Sequence, residues 1–167
     1  MQDLNSYDQP KRPVFLTVLS VFSLIAIGFG ILSSFLGLFA GPLSSEELEM
    51  TLASSAQSAE QLKSMGEADW AETIYKIMNL VVYTNANFYV DKLLNLVIYS
   101  IGLVGVVSML RLRKIGFHFY IVYNILALFS IYASAPIDEV PTFYLGFFGV
   151  IAAIFVFLYS LNLKWLK

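Results

Sequence analysis

From Val14 to Ala40 the chain carries no charged side chain. A helix that is apolar on every face must be surrounded by a large protein core or by lipid. A chain of 167 residues is too short to build the first around so long a run. Three further apolar runs follow, Phe88 to Leu110, Ile115 to about Ala133, and Thr142 to Leu163. Each is close to the ~20 residues that a helix needs to cross a bilayer core. Composition agrees: charged residues are 13% of the chain, about half of the ~25% usual in soluble domains. The expected fold class is all-α, a polytopic membrane protein with one domain, 1–167. Its transmembrane helices are expected at about 14–40, 88–110, 115–133 and 142–163, with a helical insert at 41–87. The first run is longer than the ~7–15 apolar residues of a cleaved signal peptide, so it is read as a retained helix. Residues 1–12 are polar, contain Pro10 and read as a loose tail.

The insert is a different material. It holds seven acids, Glu46, Glu47, Glu49, Glu60, Glu67, Asp69 and Glu72, against Lys63 and Lys76. Ser44-Ser45-Glu46-Glu47 has the spacing of a capping box, in which the Ser44 hydroxyl and the Glu47 carboxylate satisfy each other's backbone N–H groups. A helix over 45–64 is expected, with Leu48, Leu52, Ala56, Ala59 and Leu62 on its inner face and Gly66 as its stop. A second helix is expected over 68–83. Trp70, Ile74, Ile77, Met78 and Val81 recur there at helical spacing, and Thr84-Asn85-Ala86-Asn87 reads as a break.

Orientation follows from the bases. Lys11, Arg12, Arg111, Arg113, Lys114, Lys164 and Lys167 lie in the tail, the hinge between helices 2 and 3, and the last turn. Only Lys63, Lys76 and Lys92 lie on the other side. Basic residues favour the cytoplasm, so both termini and the hinge are expected inside and insert 41–87 outside. Lys164-Trp165-Leu166-Lys167 reads as an interfacial anchor.

Small residues mark where helices approach closely in lipid. Ser33, Gly37 and Gly41 form one stripe, Gly102 and Gly105 another, Gly146 and Gly149 a third; they are expected to pack within the bundle or against a partner subunit. The polar groups at membrane depth are Asn95, Tyr99, Ser100, His118 and Asn124. An antiparallel hairpin centred between Leu112 and Arg113 sets Asn124 level with Tyr99 and Ser100, and Asn95 level with Ser130. An unpaired amide is costly in hydrocarbon, so these groups are read as hydrogen-bonded contacts between helices, with a solute or ion path as the alternative. His118, four residues from Lys114 and within the cluster Phe117, Phe119, Tyr120 and Tyr123, is read as interfacial. A proton relay through it would need a carboxylate at depth, and helices 1, 3 and 4 have none.

Equipment for chemistry is missing from the sequence. There is no Gly-rich phosphate loop, no His-x-x-x-His and no Ser–His–Asp set that could meet. The absence of cysteine excludes disulfides, thiolate metal sites and a cysteine nucleophile. No catalytic, cofactor-binding or metal-ligating residue is therefore assigned. A net charge of −2 does not speak for nucleic acid.

The run Gly105-Val-Val-Ser-Met-Leu-Arg-Leu-Arg-Lys-Ile-Gly-Phe-His-Phe-Tyr120 resembles a pattern in small, uncharacterised four-helix integral membrane proteins of Bacteroidota-type bacteria. The resemblance implies the same four-helix topology and a bacterial inner-membrane location. It implies no activity. The function expected is a non-catalytic accessory or structural subunit of a larger inner-membrane complex, with the lipid bilayer and other integral membrane subunits as partners. The alternative is a small transporter or channel.

Overall fold

A computed structural model of the chain describes residues 13–167. The tail 1–12, with Lys11 and Arg12, lies outside the described residues. Helix α1 runs Val14–Ala40, α2 Ser45–Ser64, α3 Ala68–Ala86, α4 Phe88–Leu110, α5 Ile115–Phe129 and α6 Thr142–Ser160. A 3-10 turn, Ser130–Ala133, continues α5, and further 3-10 turns lie at Ile137–Glu139 and Leu163–Trp165. Four of these elements, α1, α4, α5 with its 3-10 extension, and α6, are long and apolar enough to cross a membrane.

Helix α4 sits between α1 and α5, and the three form the tight part of the bundle. The α4–α5 register centres on the hinge as the sequence implies. A Cβ built on Gly105 would lie 2.9 Å from the Tyr120 backbone nitrogen, and one on Gly116 would lie 2.5 Å from the Gly105 carbonyl oxygen. The two helices thus touch backbone to backbone, which only glycine permits. One turn away, Gly102 meets both Tyr123 of α5 and Ile27 of α1, and Gly30 of α1 lies under the Tyr99 ring.

The inward face of α1 differs from the expected Ser33–Gly37–Gly41 stripe. The buried residues are Leu16, Leu19, Ser20, Ser23, Ile27, Gly30 and Ser34. Gly37 shares that face and receives the Lys92 stem, which a Cβ would approach at 3.1 Å. Ser33 is exposed, and Gly41 instead ends the helix at φ 79. The inward residues recur in alternating steps of three and four, the pattern of a helix wound against a neighbour.

Helices α2 and α3 pair as a hairpin. Ser44 and Glu47 form the full capping box, and Ala59 is completely buried on the expected face of α2. Gly66, at φ 89, closes α2: its N–H donates to the Lys63 carbonyl and that of Glu67 to the Leu62 carbonyl, the 5→2 and 6→1 bonds of a Schellman stop. The hinge repeats this turn without a glycine. Leu112 takes φ 58, its N–H donates to Met109 and that of Arg113 to Ser108. A left-handed leucine costs about 1–2 kcal/mol. Two backbone bonds hold it there. Lys167 N–H donates to the Leu112 carbonyl at 2.7 Å, and Lys114 N–H donates to the Lys167 carbonyl at 2.9 Å. Residues 163–167 therefore do more than anchor at an interface. They fold back onto the hinge, with Leu166 buried in the core beside Leu112 and Leu163.

The expected break at Thr84–Asn87 is also revised. Helix α3 continues to Ala86, and Asn87 alone separates it from α4. Thr84 Oγ1 donates to its own helix at the Leu80 carbonyl, so its hydroxyl does not unwind the chain. The Asn85 amide reaches across to Leu43, accepting from its N–H at 2.7 Å and donating to its carbonyl at 3.2 Å. Asn87 donates to the Ser134 carbonyl. Helix α3 lies across the ends of the spans remote from the hinge. Leu80 packs with Ala135 and Val140, Asn79 donates to Glu139, and Trp70 meets Phe143 edge-on at 5.9 Å. The buried side chains of α3 are Ala71 and Leu80; Ile74 and Met78 are half-buried, and Trp70 and Ile77 remain 52% and 48% exposed.

Candidate functional site

Helix α6 stands apart from this tight core. Its two ends are firmly attached and its middle only loosely. At the hinge end the Tyr159 hydroxyl, on a fully buried residue, donates to Ser23 Oγ at 3.0 Å. Ser23 Oγ also lies 3.3 Å from the Tyr120 hydroxyl. The Tyr120 and Tyr159 rings pack at 4.6 Å. These three hydroxyls join α1, α5 and α6 in a seam closed to solvent. At the far end Tyr144 packs into the cluster of Leu80, Ala135 and Val140. Between these attachments a Cβ on Gly146 would meet nothing within 4 Å, and one on Gly149 only Leu128 at 3.8 Å.

The separation leaves a cleft of about 350 Å³. Ser23, Ala26 and Ile27 of α1 line one side, and Tyr123, Asn124 and Ala127 of α5 another. Tyr144, Ile151 and Ala152 of α6 face them, with Tyr99 of α4 at the base. Phe22 of α1 and Phe148 of α6 also border it and are themselves 62% and 47% exposed. No lining residue is charged. The site offers hydroxyl and amide groups on aromatic walls. It can orient a neutral molecule by hydrogen bonds; it has no carboxylate, imidazole or ammonium group with which to move a proton.

The residues singled out in the sequence separate into three groups. Tyr99 and Asn124 come together in the cleft. Asn124 donates to the Tyr120 carbonyl of its own helix at 2.7 Å and not to Ser100. Ser100, level with it in depth, lies on another face and donates to the Leu96 carbonyl. Asn95 is half-buried and is not a cleft residue. His118 is exposed, with Nδ1 3.3 Å from the Lys114 carbonyl oxygen. Of the small residues, Gly37, Gly102 and Gly105 make close contacts inside the bundle and Gly146 makes none. Among the described residues no group of three His, Asp or Glu side chains gathers. Sequence reasoning did not single out Ser23, Tyr144 or Tyr159. Position offered no signal for these tyrosines: tyrosines in membranes concentrate at the two interfaces, and Tyr144 and Tyr159 lie near the two ends of α6.

Comparison of the chain with protein-family models, with curated proteins and with solved structures finds no match.

Proposed function

We propose that this chain is a non-catalytic accessory subunit of a larger bacterial inner-membrane complex, with both termini and the hinge in the cytoplasm and the α2–α3 hairpin outside. The observation that carries the reading is the unfilled side of α6. Only 6% of its apolar window is buried, and the open position is Gly146. A small residue on a helix face lets another backbone approach, and among the described residues no helix takes that place. The inside orientation rests on Arg111, Arg113, Lys114, Lys164 and Lys167 at the hinge end, together with the positive-inside rule.

The test is purification in mild detergent with mass spectrometry of the co-purifying chains. Native protein should bring down one defined set of integral membrane subunits, and Gly146→Leu should release them while leaving the chain folded. Recovery of a solitary chain, after crosslinking in the native membrane as well, would sink the proposal. The chain lacks cysteine, so single cysteines at the exposed positions Ser58 and Arg113 test the orientation. An impermeant maleimide should label the first in intact spheroplasts and the second only after lysis; the reverse pattern would invert the topology.

A small transporter or channel is the second reading, supported by the cleft that reaches Asn124. It ranks lower because the Ser23–Tyr120–Tyr159 seam closes the hinge end and no charged group lines the cleft. Asn124→Leu abolishing solute flux in proteoliposomes, with the fold intact, would promote it.

A further inference from the structure

We propose that the cleft between α1, α5 and α6 is a binding site for a neutral, lipid-soluble molecule whose planar head accepts hydrogen bonds, the chemistry of a benzoquinone or naphthoquinone ring. Three observations carry this, and none depends on the accessory-subunit reading.

The first is unspent hydrogen-bonding capacity. Tyr120 and Tyr159 share Ser23, but Tyr99, Tyr123 and Tyr144 border the same cleft with no hydrogen bond to their hydroxyls among the described residues. They are not sealed in the protein either: the buried side-chain atoms without partners are Ser20 Oγ and Ser134 Oγ. A phenol open to hydrocarbon loses a hydrogen bond that it would make in water. Three such phenols around one cleft are donors awaiting an acceptor. Asn124 borders the same space, with one N–H of its amide given to the Tyr120 carbonyl.

The second is shape. The Tyr99 and Tyr123 rings lie 6.1 Å apart and the Tyr120 and Tyr123 rings 5.8 Å apart; Phe148 sits against Tyr144 at 4.8 Å. Aromatic walls favour an offset or edge-on ring between them. An engineered cavity of roughly 150 Å³ holds benzene, so the 350 Å³ here accommodates a substituted ring and the start of its chain.

The third is access and charge. Phe22 of α1 and Phe148 of α6 border the cleft and are themselves exposed, on two helices long and apolar enough to cross a membrane. A ligand entering there comes from the bilayer. With no lysine or arginine on the walls, a phosphate headgroup finds no countercharge, so phospholipid is the poorer occupant.

The experiment uses the full chain in phospholipid nanodiscs and a photoactivatable azido-benzoquinone with a ten-carbon tail. Crosslinks should concentrate on peptides containing Tyr123, Asn124 and Ala152. An excess of unlabelled decylbenzoquinone should suppress them, and n-decanol should not. Tyr123→Phe or Tyr144→Phe keeps the ring and removes the hydroxyl, and should weaken binding about three- to tenfold. Ala152→Phe fills the cleft and should abolish labelling; size-exclusion profiles verify that each variant is folded. Labelling spread over all lipid-facing helices and indifferent to competitor would overturn the proposal. So would cleft labelling that decanol suppresses equally well, or that the Tyr→Phe variants leave unchanged, since the site would then hold any chain and recognise no head.

Discussion

The backbone contact between α4 and α5 makes Gly116→Ala the most discriminating single substitution. A Cβ at Gly116 would lie 2.5 Å from the Gly105 carbonyl oxygen, 2.6 Å from the Met109 nitrogen and 2.8 Å from Ser108 Cβ. Ordinary contact begins near 3.4 Å, so the helices must part locally by about 0.9 Å. None of the three opposing atoms is the end of a flexible side chain. Overpacking of this kind costs about 1–3 kcal/mol. Alanine returns about 1 kcal/mol of helix propensity, leaving a net loss of about 0–2 kcal/mol. Gly28 supplies the control, because a Cβ there meets nothing within 4 Å. Gly28→Ala receives the same propensity term without the clash and should be neutral or stabilising by up to about 1 kcal/mol. The assay is SDS-induced unfolding in mixed micelles followed by circular dichroism, with the two variants measured in parallel. Gly116→Ala should unfold at lower SDS fraction than wild type, and Gly28→Ala at an equal or higher one. Equal midpoints for the two variants, or the reverse order, would refute the close approach of α4 and α5.

Three other substitutions probe different links. Tyr159→Phe removes one donation to Ser23 and should cost about 0.6 kcal/mol, within the ~1.7 kcal/mol ceiling for such bonds in membranes; Ser23→Ala should cost more, because it strips a partner from both Tyr120 and Tyr159, and the same unfolding assay compares them. Asn85→Ala removes both bonds to the Leu43 backbone and should raise amide hydrogen exchange over 41–48 while leaving that of α4 and α5 unchanged. The Glu47 carboxyl is held below its ordinary value of 4.5 by the Ser44 backbone N–H and then by its hydroxyl. A depressed carboxylate contributes above its unfolded value and loses that contribution as pH falls through the folded one. The first turn of α2 should therefore fray as pH drops below 4.5, visible as NMR shift changes at Ser45–Leu48; shifts that stay constant down to pH 3 would dismiss the cap's role.

How much of this was legible in the sequence depended on the solvent each element meets. The start and end of α1 and of α4 follow from where apolar runs begin and stop, and the inner face of α2 from its alternation of alanine and leucine with polar residues. Inside lipid that signal vanishes. Helix α1 is apolar all round, so hydrophobicity cannot tell Ser33 from Ser34, and only the three–four alternation through Ser20, Ser23, Ile27, Gly30 and Ser34 marks the packed side. Thr84 and Asn85 read as a break because their side chains compete for the backbone in isolation; here one bonds within the helix and the other is drawn to Leu43, forty-two residues away. The union of Lys167 with Leu112 is a backbone pairing with no side-chain signature. The cleft has no sequence signature for a related reason: α1 and α6 meet at the Ser23–Tyr159 bond and diverge beyond it, and a divergence leaves no motif.

That divergence has a mechanical consequence. Helix α6 resembles a beam clamped at both ends, by Tyr159 and the hinge-bound segment 163–167 at one and by Tyr144 and Phe143 at the other. Such a beam deflects most at midspan, and midspan here is Gly146 to Ile154, the movable wall of the cleft. A small bow in that stretch widens or narrows the cleft while both clamps keep their hydrogen bonds and ring contacts. The contacts thus place the weakest restraint on the middle of one helix, which faces the glycine-packed α1–α4–α5 core.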